Sequence, residues 1–139
     1  MKRSTLSVVG VLAALVFALG SPAQAAGELA GTSWRALEIG GSPLPTVQSR
    51  QEPYLIFNAA GRVSGSTGCN RFAGSYQQDG NSLRFTPLAV TKMACPPPLD
   101  SLERSFLQAL AATTALRQSC NTLDLLDSAG QILLRLRAR

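Results

Sequence analysis

Histidine is absent from the 139 residues. That one absence excludes Ser-His and Cys-His catalysis, imidazole metal sites and histidine-based pH switching. Lysine is confined to Lys2 and Lys92, so a Ser-Lys nucleophile would have to use Lys92. No CxxC, no glycine-rich phosphate loop and no cluster of metal-ligand residues occurs. Charged residues make up only 15% of the chain against 45% hydrophobic, which excludes a disordered polyelectrolyte. The longest apolar run, Val8 to Leu19, falls short of the ~20 residues a spanning helix needs.

What that run does fit is a secretory leader over residues 1–25. Lys2 and Arg3 form a positive start, the apolar run follows, and Ala23-Gln24-Ala25 is a small-x-small cleavage pattern. No cysteine lies beside the cleavage point, so a lipid anchor has no support. The expected mature chain is one domain, residues 26–139, with no transmembrane anchor. Lys2 and Arg3 also supply two of the five net positive charges. The remaining arginines are scattered without aromatic interleaving, so nucleic acid is not an expected partner. Their excess over lysine and the alanine richness suggest a GC-rich bacterial genome, and export then means the periplasm of a Gram-negative cell.

Cys69, Cys95 and Cys120 would sit in an oxidising compartment, where thiols tend to pair. Three pairings are open, as is the possibility that all three stay free. Cys69–Cys95 is preferred because both lie in irregular segments, a glycine-rich turn and the approach to Pro96-Pro97-Pro98. Cys120 is then a small buried residue or an exposed thiol able to dimerise the chain.

The mature sequence reads as short β segments separated by glycine turns. Residues 32–39, 54–58, 62–66 and 72–77 carry β-formers, and Asp79-Gly80-Asn81 is a hairpin turn leading into Leu83 and Phe85. Residues 41–53, with Pro43, Pro45 and Pro53, read as loop. One helix is expected over about residues 100–113, with Leu99, Leu102, Phe106, Leu110 and Thr113 on one stripe. Asp100 as N-cap with Glu103 three residues on would form a capping box. Two strands follow: Leu123 and Leu125 flank Asp124, then Ile132, Leu134 and Leu136 face inward with Arg135 and Arg137 outward. The expected fold is β-rich α+β, a small antiparallel curled sheet or cracked β-barrel with one packed helix. That helix would plug the open side of the sheet.

GRVSGSTGCNRF at 61–72 makes the pattern specific. With LAGTSWRAL at 29–37, LAVTKMAC at 88–95, LERSFLQAL at 102–110 and LDLLDSAG at 123–130, the chain resembles the META-domain family of HslJ-like heat-shock proteins. The resemblance implies a barrel-like envelope domain linked to stress or drug tolerance, without an established catalytic activity or cofactor. Some members are lipoproteins, and this sequence departs from them.

Within the motif, Gly65 and Gly68 are expected to bracket a turn whose backbone angles exclude a Cβ. Thr67, Asn70 and Arg71 either pin that turn or present polar groups to a ligand. Trp34, the sole tryptophan, is expected in the core or at a pocket mouth. Ser64, Ser66 and Cys69 have no base to activate them. Among the carboxylates Glu38, Glu52, Asp79, Glu103, Asp124 and Asp127, the last two read as solvated strand and turn residues. The expectation is a monomeric, non-catalytic binding module acting on an envelope protein. The alternatives are a carrier of a lipid or other small apolar molecule, and a periplasmic hydrolase inhibitor acting through the 41–53 loop.

Overall fold

Alternation of apolar and polar residues sets the direction of nearly every strand. A computed structural model describes Gly10, residues 29–44 and residues 52–139. The expected leader and most of the expected 41–53 loop lie outside the described residues. The strands are β1 (Ser33–Ile39), β2 (Ser42–Pro43), β3 (Tyr54–Phe57), β4 (Arg62–Ser66), β5 (Arg71–Asp79), β6 (Ser82–Phe85) and β7 (Ala89–Val90). Helix α1 (Leu99–Ala112) follows, then β8 (Ala115–Ser119), β9 (Thr122–Leu126) and β10 (Ile132–Ala138).

Eight of these strands close into an antiparallel barrel in the order β1-β3-β4-β5-β6-β8-β9-β10, with β10 returning to β1. The β10–β1 seam is long, running from Trp34↔Ala138 to Ile39↔Leu134, with a register shift between Ala36 and Glu38. The β6–β8 seam is short. It has one residue pair, Ser82↔Ala115, flanked by Leu83 N–H to Thr114 O at 3.1 Å and Leu116 N–H to Asn81 O at 2.9 Å. β2 folds back on the end of β1, and β7 pairs with the start of β5. The Asp79-Gly80-Asn81 hairpin forms as expected, with Gly80 at φ +58°.

An eight-stranded barrel has an interior just wide enough for side chains to fill. Here it is filled by Trp34, Leu55, Phe57, Val63, Leu83, Leu116, Leu123, Leu125, Leu134 and Leu136, each no more than 2% exposed. The helix completes this core with Leu102, Phe106, Ala109 and Leu110, packed against β10, β1, β6 and β9. Phe106 meets Phe72 at 5.8 Å between ring centroids. Thr113 closes the helix, its hydroxyl donating to Ala109 O at 2.8 Å, and Thr114 leads straight into β8.

Four expectations need correcting. β8 was not anticipated, because ALRQS holds one large apolar residue and shows no alternation. The capping box does not form: Pro98 takes the N-cap position without a side-chain cap, and Asp100 accepts from Ser101 N–H at 2.8 Å. Gly65 is not a turn residue but lies inside β4, where a Cβ would collide with the Tyr54 carbonyl and the Phe72 ring. Gly68, at φ +96°, is the turn glycine. Asp124 is not solvated: it is buried on β9.

Candidate functional site

The GSTGCN segment links β4 to β5, and its turn is tied by its own polar atoms. Thr67 Oγ1 accepts from Asn70 N–H at 2.9 Å and from Cys69 N–H at 3.3 Å. Ser66 Oγ accepts from Gly68 N–H at 3.1 Å. Both patterns are the local bonds that Ser and Thr offer a tight turn.

Asn70 then binds the segment after β7. Its Oδ1 accepts from Met93 N–H at 2.7 Å and from the Thr91 hydroxyl at 3.0 Å. Its Nδ2 donates to Met93 O at 3.2 Å, to Cys95 Sγ at 3.3 Å and to Glu103 Oε2 at 3.2 Å. Glu103 Oε1 accepts from the Thr67 hydroxyl at 3.0 Å. Cys69 and Cys95 are joined by a disulfide with Cα atoms 6.0 Å apart. One amide side chain and one covalent bond thus knot three elements together: the β4–β5 turn, the 91–95 segment and the first turns of α1. Thr67 and Asn70 are buried, and their polar atoms are committed to the protein itself. Such a knot rigidifies when every member is satisfied.

The other expected site residues lie elsewhere. Arg71 follows Asn70 but is exposed on the outside of the barrel. Trp34 lies in the barrel interior, 1% exposed, and its indole N–H has no hydrogen-bond partner among the described residues. So Thr67 and Asn70 come together, and Arg71 and Trp34 do not join them. Glu103 and Thr91 are members that the sequence reading did not connect to the motif; no local signal marks them. Cys120 is exposed at the β8–β9 hairpin with φ +50°.

A second polar cluster sits on the outer face of β8–β10. In-register pairing places Arg117, Asp124 and Arg135 side by side. Arg135 grips Asp124 with two bonds, 2.8 and 3.2 Å, and Arg117 adds a third at 3.0 Å. Burial pushes the Asp124 carboxyl up, but the hydrogen bonds and charges of Arg135 and Arg117 outweigh it and hold the group below the usual 3.8. Among the described residues, no group of three or more Cys, Asp or Glu is arranged to hold a metal ion.

Comparison with known proteins places this geometry. The META domain family model matches residues 27–139. The chain belongs to the META domain family. An NMR structure of a protein from Burkholderia xenovorans is similar at 28% identity and TM-score 0.62, over 80% of this chain and 83% of that one. A second NMR structure is similar at 25% identity and TM-score 0.63, over 78% of this chain and 90% of the other. The crystal structure of a DUF4847 family protein from Bacteroides vulgatus ATCC 8482 shares the fold at 18% identity and TM-score 0.61, over 78% of this chain and 93% of that one. No curated protein matches the chain.

This META domain carries two surface grooves, the first of them bordered by Thr91 of the knot. One, of about 470 Å³, is lined by Tyr54, Ser64, Arg71, Ala73, Val90 and Thr91. The other, of about 440 Å³, runs between the β6–β7 segment and α1 and includes Phe85, Leu88, Val90 and Leu107. Among the described residues, no helix is long and apolar enough to cross a membrane.

Proposed function

We propose that this META domain is an exported, non-catalytic binding module of the bacterial envelope that engages a partner protein through the outside of its barrel. The observation that carries this reading is how the molecule uses its interior. The inward side chains of all eight barrel strands form one buried cluster with Phe106, Ala109 and Leu110 of the helix, so the centre is a packed core. A carrier needs interior space that its own helix does not occupy. Ser66, Thr67 and Asn70 of the family motif are spent on the knot, where they hold the turn rigid beside an open groove. A rigid scaffold that presents a surface groove suits recognition better than turnover. The link to stress or drug tolerance is part of the proposal and comes from the family resemblance.

Native mass spectrometry of protein purified from periplasm without reducing agent tests this reading. The expected result is a species of residues 26–139, lighter by two hydrogens, with no small molecule attached. A hydrophobic adduct released on denaturation would overturn the reading in favour of a carrier.

A further inference from the structure

Residues opposite each other in an antiparallel ladder project from the same face of the sheet. The registers here form one continuous row: Arg137 opposite Arg35, Arg35 opposite Tyr54, Tyr54 opposite Ser66, and Ser66 opposite Arg71. Their chain neighbours Trp34, Leu55, Phe72 and Leu136 point into the core, so Arg137, Arg35, Tyr54 and Arg71 lie on the outer face, while Ser66 on the same face is buried and belongs to the knot. Arg139 joins it, with its guanidinium 5.5 Å from the Tyr54 ring centroid.

The charges of this row do not cancel. Arg35 and Arg139 share one carboxylate, Glu52, at 3.4 and 3.3 Å. Among the described residues, Arg137 and Arg71 have no carboxylate within 4.0 Å and their side chains make no hydrogen bond. Arg35 and Arg137 stand directly opposite one another, an arrangement that disfavours the sheet unless an anion lies against it. At the Arg71 end the row opens into the groove of about 470 Å³, walled by Ala73 and Val90.

We propose that this row and groove form the docking site for an extended acidic segment of the partner protein. The inference rests on the binding-module reading and adds the partner's chemistry. Four guanidinium groups against one carboxylate call for anionic charge, and Arg pairs with carboxylates through two parallel hydrogen bonds. Strands ~4.8 Å apart put Arg35 and Arg71 roughly 14 Å from each other, a span of about four extended residues. Acidic side chains at that interval reach both ends, and a small side chain two residues beyond the one that meets Arg71 enters the groove at Ala73 and Val90. The row follows the curve of the barrel, so a flexible chain can track it where a flat bilayer meets only part of it. A nucleic acid strand would seek aromatic faces to stack on, and Arg139 already stands over the Tyr54 ring.

The test is an NMR titration of the full chain with a ten-residue peptide carrying Glu at positions 2 and 6, Ala at position 8 and Ser elsewhere, and with the same peptide carrying Gln for Glu. Expected are shifts confined to residues around Arg35, Tyr54, Arg71, Ala73, Val90 and Arg137, and little binding of the Gln peptide. Arg35→Gln and Arg71→Gln should each weaken binding about fivefold, with no fall in melting temperature. Equal binding of the Gln peptide, shifts spread to Arg62, Arg84 and Arg104, or no shifts at all would overturn the proposal. Tighter binding of phosphatidylglycerol vesicles or of an oligothymidylate at the same row would also overturn it. If the acidic peptide fails while native mass spectrometry shows an empty barrel, only the partner chemistry falls. A released apolar ligand would remove the binding-module reading itself.

Discussion

Asn70→Asp isolates the knot with a change of almost no volume. The new carboxylate keeps the acceptor oxygen that binds Met93 N–H and the Thr91 hydroxyl. It loses the Nδ2 donor and turns an oxygen toward Glu103 Oε2, where the wild-type contact is a 3.2 Å hydrogen bond. A hydrogen bond to a charged group contributes about 1.5–3 kcal/mol. Two like charges at that distance repel by roughly 5 kcal/mol at an effective dielectric of 20, an upper bound. Glu103 is only half-buried and can swing toward water, which relieves much of that repulsion. The net cost expected at pH 7 is about 2–4 kcal/mol, or roughly 8–16 °C in melting temperature for a domain of this size. Urea unfolding of the oxidised protein measures it. The second half of the experiment is Asn70→Asp combined with Glu103→Gln. Removing the facing charge should recover at least half of the loss, with a coupling energy of about 1–3 kcal/mol in the double-mutant cycle. A cost below about 0.5 kcal/mol, typical of an inert surface site, would refute the reasoning. So would an equal cost with and without the Glu103 carboxylate.

Phe106→Ala removes a fully buried ring that meets Phe72, and should cost about 3–5 kcal/mol by chemical denaturation. Replacing Cys69 and Cys95 by Ser should lower stability by roughly 3–4 kcal/mol in the chain-entropy model, and an unchanged melting curve under reductant would contradict this. Asp124 sets an acid limb: its carboxyl titrates lower in the folded chain than in the unfolded one, so its contribution is present above 3.8 and is lost as pH falls through the folded value. Asp124→Asn should therefore flatten the loss of stability below that pH, as measured by melting temperature against pH.

Local patterning was enough to locate most of the barrel. TSWRAL and LDLL alternate cleanly, and Leu123, Leu125, Trp34 and Ala36 all point inward as that alternation requires. β8 was hidden because a strand with one large apolar residue carries no periodic signal. Asp124 points outward as alternation predicts, yet it is buried because Arg117 and Arg135 on the flanking strands fold over it. Register creates that burial, and register is not a local property. Asn70 is the same case on a longer scale. Its partners Thr91, Met93 and Glu103 are 21, 23 and 33 residues away. The motif's glycines and cysteines marked where the knot would be, but not that a helix carboxylate completes it. The arginine row is likewise invisible in a sequence where those arginines look scattered, because only barrel closure places Arg137 beside Arg35.

The central claim is that the barrel works by its outer face rather than its interior. Site-specific photocrosslinking in intact cells addresses it most directly. A photoreactive residue would be placed at Ala73 in the groove, and another at Gln131 on the β9–β10 connection. The account predicts a discrete protein adduct from Ala73 that disappears with Arg71→Gln, and none from Gln131. Equal labelling from both positions, or an Ala73 adduct indifferent to Arg71, would contradict it.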